Sequence, residues 1–151
     1  MFYPVEHQGE FVLTKNGSLD FGEISEDIAS VIKRQAGKIR LRIGEHVEGR
    51  KDNFGERHIE RPERMMALLK CGYSSARDFI EDVCNSYDAV YLGEKGALVL
   101  VKFHTERKNI AIVKLRPSDS GDFYDVQTGY PSRNSGKNKK PLLWERQRQR
   151  S

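Results

Sequence analysis

Along the first half of the chain, apolar residues recur at helical spacing; after residue 88 they recur at every second position. The stretch "ISEDIASVIKRQAG" predicts one short helix, with Ser25 as its cap, Ile24, Ile28, Val31 and Ile32 as its stripe, and Gly37 as its stop. "KIRLRIG" alternates, so Ile39, Leu41 and Ile43 face one way and Lys38, Arg40 and Arg42 the other, as in a half-buried strand with a basic outer face. "EHVEGRKDNFG" is polar and punctuated by glycine, hence a loop. Pro62 then opens a helix carrying Met65, Met66, Leu68 and Leu69, which "KCG" closes. A second helix starts at the capping box Ser75–Asp78 and presents Phe79, Ile80, Val83 and Cys84. The segments "AVYL", "ALVLVKF", "NIAIVKLR" and "DFYDVQT" follow, joined by loops too short for a parallel crossover.

The expected fold class is therefore α+β, with N-terminal helices packed on a four-stranded antiparallel β-meander. Residues 1–22 read as a loosely structured lead-in with an extended piece at "EFVLT". Residues 23–145 form a single domain, in which "PLLW" ties the end of the chain back to the body. Residues 146–151 read as a basic, frayed tail.

Composition adds limits. A chain of 151 residues suffices for one core, and a charged fraction of 32% against 37% hydrophobic fits an incompletely packed end. No apolar run can span a bilayer, and the start lacks the form of a secretory signal. Cys71 and Cys84 sit in helical patterns and read as inert buried thiols. The formal net charge is +4, yet seven basic residues and one acidic residue fall between Ser132 and Ser151. That end suits either a phosphate backbone or plain solvation.

The chemistry concentrates at "NFGERHIERPERMM", where His58 lies among Arg57, Arg61 and Arg64. No Gly-rich nucleotide loop and no nucleophile elbow is present. His46 and His58 are twelve residues apart without a zinc-helix pattern, and three arginines disfavour a metal set of His58, Glu60 and Glu63; no cofactor is expected. What remains is acid–base chemistry on RNA, whose 2′-hydroxyl serves as internal nucleophile. Positive neighbours favour the neutral, proton-accepting form of His58, and the first-turn amides after Pro62 add a pull on an anion. Packing against the sheet or capping the helix is the competing role for His58. On the last strand Tyr124, Val126 and Thr128 share a face by period two, with Tyr130 just beyond. Thr128 suits a phosphoryl oxygen, Tyr130 an acid or stacking group, and Tyr124 a stacking group, although tyrosine is also an ordinary strand residue. Arg40 and Arg42 on the early strand, and Lys102 with His104, are further candidates to line the cleft, or simply solvated.

Taken in order, "AGKIRLRIG", "NFGERHIERPER", "CGYSSARDFIEDV", "YDVQTGYPSR" and "PLLWE" resemble a barnase/EndoU/colicin/RelE-like nuclease domain of the phage-related and polymorphic-toxin type, over roughly residues 37–145. The resemblance implies a helix-plus-antiparallel-sheet fold and metal-independent RNA cleavage to a 2′,3′-cyclic phosphate and a 5′-hydroxyl. It implies a catalytic role for His58, a matching late-strand position at Thr128, and basic side chains that orient phosphate; the reading of the residues themselves adds Tyr130 to the catalytic candidates and supplies Arg40, Arg42, Arg57, Arg61, Lys102 and Tyr124 as candidates to bind RNA or phosphate. It also implies an RNA substrate, an immunity or inhibitor protein as partner, no membrane association, and a monomer when free. The setting would be a bacterial cytoplasm, native or reached by a non-classical route. A non-catalytic RNA- or protein-binding module on the same frame is the alternative.

Overall fold

The alternating strands of the second half and the isolated strand near residue 40 join in one large sheet, beside which lies a small two-stranded one. The computed structural model describes residues 6–133 and 140–147. Two short strands, β1 (His7–Gln8) and β2 (Phe11–Val12), form a hairpin, followed by β3 (Gly22–Ile24), α1 (Glu26–Ile32) and β4 (Gly37–Arg40). Three helices come next: α2 (Gly55–Ile59), α3 (Pro62–Lys70) and α4 (Ala76–Ser86). Then follow β5 (Ala89–Leu92), β6 (Leu98–Phe103), β7 (Arg107–Arg116), β8 (Phe123–Arg133) and β9 (Leu142–Glu145).

The class is α+β, but the four-stranded antiparallel meander is corrected to a seven-stranded mixed sheet of order β3-β4-β8-β7-β6-β5-β9. The meander β5–β8 is its centre. It is extended because β4 pairs in parallel with β8, Ile39 opposite Tyr124, and because β9 adds antiparallel to β5. Neither pairing is local: β4 and β8 are separated by three helices and three strands, so loop length carries no trace of the contact.

One face of the sheet holds the core. Ile39, Leu98, Leu100, Ala111, Val113, Tyr124 and Val126 pack with Phe79, Ile80 and Val83 of α4, all buried. The segment read as a lead-in is drawn in as well: Val12, Leu13 and Phe21 are buried, and the Val12 amide donates to the Leu41 carbonyl at 2.8 Å. Among the described residues, no helix is long and apolar enough to cross a membrane.

Local signals hold unevenly. Ser25 and Ser75 cap α1 and α4 as expected, accepting from the amides of Ile28 and Asp78. However, α1 stops at Lys33, which adopts the left-handed conformation (φ 57°), and Gly37 starts a strand instead. Val31, Met66 and Leu69 are exposed, leaving Leu68 as the buried residue of α3. At the far end, Trp144 stacks edge-on against Tyr87, and the Arg146 amide donates to the Asp88 carbonyl at 2.7 Å. Residues 134–139 and 148–151, which carry much of the expected basic tail, lie outside the described residues.

Candidate functional site

Two glycines bring the chemistry together. Gly44 (φ 70°) and Gly55 (φ 81°) cross so closely that a Cβ on Gly44 would lie 2.0 Å from the Phe54 carbonyl oxygen, and one on Gly55 2.6 Å from that of Arg42. Only glycine fits such a crossing. The loop between them is closed by reciprocal backbone bonds between Glu45 and Phe54 and tied internally by Asn53, which bonds both backbone groups of Val47. The first amides of α2, those of Glu56 and Arg57, donate to the carbonyls of Arg42 and Ile43 at 2.9 Å. His46 and His58 therefore leave the two arms of one clasp side by side, with Nδ1 to Nδ1 at 3.0 Å and ring centroids 5.1 Å apart.

The imidazole of His58 is half-buried at the C-terminal end of α2, ahead of α3 rather than in it. Nη1 of Arg61 lies 3.2 Å from its Nε2 and 3.3 Å from its Nδ1, and donates to the His58 carbonyl at 2.5 Å. Burial first, then the charge of Arg61, His46 and Arg64, lowers the pKa of His58 to about 4, against a weak opposing pull from Glu63. At neutral pH it is an uncharged proton acceptor. With its Nε2–H facing Glu48 at 3.2 Å, His46 presents Nδ1 as acceptor to the Nδ1–H of His58. In that arrangement the lone pair of His58 is on Nε2, under Arg61.

Arg64 links this pair to the sheet. Its Nη1 donates to the Gly129 carbonyl at 3.0 Å, and its guanidinium lies 4.7 Å from the Tyr130 ring centroid. That carbonyl is open to a side chain because β4 pairs with β8 only at residues 124 and 125, and α2 and α3 pack along the rest of that edge.

The expectation that Tyr124, Val126 and Thr128 share one face is corrected by a β-bulge. Val126 pairs with Val113, but Thr128 pairs with Ile112, so Gln127 is an extra residue and the alternation is reset. Tyr124 and Val126 face the core, and the Tyr124 hydroxyl donates to the Gln35 carbonyl at 2.6 Å. Thr128 pairs with a residue that alternates with core-facing Ala111 and Val113, so it and Tyr130 lie on the opposite face, away from α4. The Thr128 hydroxyl oxygen is buried and has no hydrogen-bond partner among the described residues.

The remaining candidates disperse. Arg42 is buried and clasps Asp125 through Nε (3.0 and 3.1 Å) and Nη2 (2.6 Å), with its guanidinium 4.0 Å from the Phe54 ring centroid. It is not a solvated cation awaiting phosphate. Arg40 is held by Asp20 at 3.0 Å and sits by the Phe11 and Phe123 rings. Arg57 is exposed on α2. Lys102 binds Asp82 at 2.5 Å within a separate network in which Tyr73 donates to Asp82, and buried Asn109 donates to both the Tyr73 oxygen and Nε2 of His104. The carboxylate of Glu63 takes its own first-turn amide, so that part of the α3 terminus is already satisfied. The sequence reading placed no weight on His46 and left Arg64 outside its site. The glycines at positions 44 and 55, flanking the loop symmetrically, were the available signal.

Among the described residues, no group of three or more His, Cys, Asp or Glu side chains is placed to hold a metal ion. Comparison with protein-family models, curated proteins and solved structures finds no match to this chain.

Proposed function

We propose that this protein is a metal-independent endoribonuclease that uses the RNA 2′-hydroxyl as its nucleophile. The observation that carries the reading is the neutral His58 imidazole, paired with His46 and covered by Arg61 beside Arg64. Nε2 of His58 takes the 2′-hydroxyl proton as the 2′-oxygen bonds to phosphorus. The bond from phosphorus to the 5′-oxygen breaks, and that oxygen is protonated by the Tyr130 hydroxyl, to which the proton taken up by His58 returns through solvent. The products are a 2′,3′-cyclic phosphate and a 5′-hydroxyl. Arg61 is positioned to exchange Glu63, 3.1 Å away, for the phosphodiester, and Arg64 adds a second planar donor against the charge that builds on the phosphoryl oxygens. The Thr128 hydroxyl is unpartnered but buried, so it meets a phosphoryl oxygen only once the side chains over it move aside. Resemblance to barnase/EndoU/colicin/RelE-like nucleases supports the same roles for His58 and Thr128, and on it alone rests the further proposal of a bacterial toxin held in check by an immunity protein.

The test is cleavage of labelled bacterial RNA in EDTA by wild type and His58→Ala. Wild-type cleavage yielding cyclic-phosphate ends, lost in a His58→Ala protein of unchanged circular dichroism, is expected. Equal cleavage by both would remove His58 from the chemistry. Binding without cleavage by either would favour a non-catalytic RNA-binding module.

A further inference from the structure

The face of the sheet away from α4 carries a cleft of 270 Å³ between the ends of β7 and β8. Its lining includes Arg42, Lys114, Arg116, Asp125 and Gln127. The charge balance is one-sided. Asp125, 1% exposed, is neutralised by Arg42 and also accepts from Nε2 of Gln127 at 3.0 Å. Lys114 and Arg116 are exposed and form no ion pair among the described residues. Two cations therefore stand unbalanced over a floor whose own carboxylate is already used. Such a floor does not compete for them, and a dianionic or polyanionic ligand gains both.

The bulge puts the cleft and the β8 end of the candidate site on the same face of the sheet. Asp125 pairs with Lys114, Thr128 with Ile112 and Tyr130 with Ile110, so these residues share one face, and the inserted Gln127 joins them through its bond to Asp125. A polar row thus runs along β8 from the cleft to the tyrosine under Arg64. At about 3.3 Å per residue, Asp125 to Tyr130 spans roughly 15 Å. That distance accommodates a few nucleotides of extended single strand, with an aromatic platform at one end. A regularly alternating β8 would have turned Thr128 and Tyr130 into the core and broken the row.

We infer that the Lys114–Arg116 cleft is a phosphate subsite for single-stranded RNA, holding a phosphodiester a few nucleotides from the bond cut beside His58. The inference rests on the ribonuclease reading for its substrate, but its test is a binding measurement that needs no cleavage. The full chain carrying His58→Ala is titrated with a fluorescent 2′-O-methyl hexaribonucleotide, which cannot be cleaved, over a series of salt concentrations. Adding Lys114→Gln and Arg116→Gln is expected to weaken hexamer binding about tenfold or more, and to flatten the dependence of log affinity on log salt by about 0.7 for the one lost phosphate contact. The charge control Lys95→Gln, in the β5–β6 turn, should leave both unchanged. Unaltered affinity and salt slope in the double variant would overturn the subsite. So would failure of the parent to bind the hexamer, or equal binding of a blunt RNA duplex. If the subsite residues behave as expected while wild type cleaves no RNA, the catalytic reading fails and the subsite stands.

Discussion

Replacing Arg42 with methionine is the perturbation whose cost follows most directly from the structure. The side chain is 10% exposed and its partner Asp125 2%, and three hydrogen bonds of 2.6–3.1 Å join them. Methionine keeps much of the packing on Phe54 but leaves the carboxylate with only the Gln127 amide as a side-chain donor. Leaving one buried charge without its partner costs about 3–5 kcal/mol. For a chain of this size that lowers the melting temperature by roughly 6–20 °C. Asp125→Leu should cost a similar amount for the mirrored reason, whereas Arg42→Met/Asp125→Leu removes both charges and should recover most of the loss. The assay is urea unfolding of the four proteins at one pH, read as a double-mutant cycle. A single-variant cost below about 1 kcal/mol, or two costs that simply add, would refute the claim that this pair is coupled and desolvated. It would also return Arg42 to the pool of cations available to phosphate.

The pKa of His58, lowered to about 4 from an ordinary 6.5, sets a pH dependence of defined sign. Between those values the unfolded chain binds the proton and the folded chain does not, so stability from this group is complete above about pH 6.5 and is lost as pH falls toward 4. Urea midpoints at pH 7 and pH 5 should therefore differ more in wild type than in His58→Asn; equal differences would contradict the assignment. The same shift predicts that the acid limb of kcat/KM lies well below pH 6.5, which a profile on a defined oligoribonucleotide would check. Gly55→Ala should destabilise by about 1–3 kcal/mol from the left-handed backbone alone, with more from the contact at the Arg42 carbonyl; the expected accompaniment is a loss of the His46–His58 contact seen in histidine NMR shifts. Tyr124→Phe removes only the bond to the Gln35 carbonyl, so about 1 kcal/mol of stability and no cleavage activity should be lost. A large activity loss there would restore Tyr124 to the site.

How much was legible follows the range of the forces involved. Caps and periodicity act within one or two turns, and Ser25, Ser75, Pro62 and the α4 face Phe79, Ile80, Val83 and Cys84 could be read directly. The four central strands were legible for the same reason: short loops force antiparallel neighbours. Of the site, His58 and Arg61 were found in one short segment whose residues stay together in space.

What only the tertiary structure decided depends on contacts distant along the chain. The parallel β4–β8 pair enlarges the sheet, and it places Arg42 against Asp125 instead of solvent. One inserted residue, Gln127, separates Tyr124 from Thr128, because strand alternation has a period of two and a single insertion inverts every side chain beyond it. The clasp at Gly44 and Gly55 joins two histidines that the sequence holds twelve positions apart. The sequence alone determined which local elements form and which side chains, His58 and Arg61 among them, are candidates for chemistry. Their meeting was set by backbone crossings and strand register, whose energies come from partners that no local window contains.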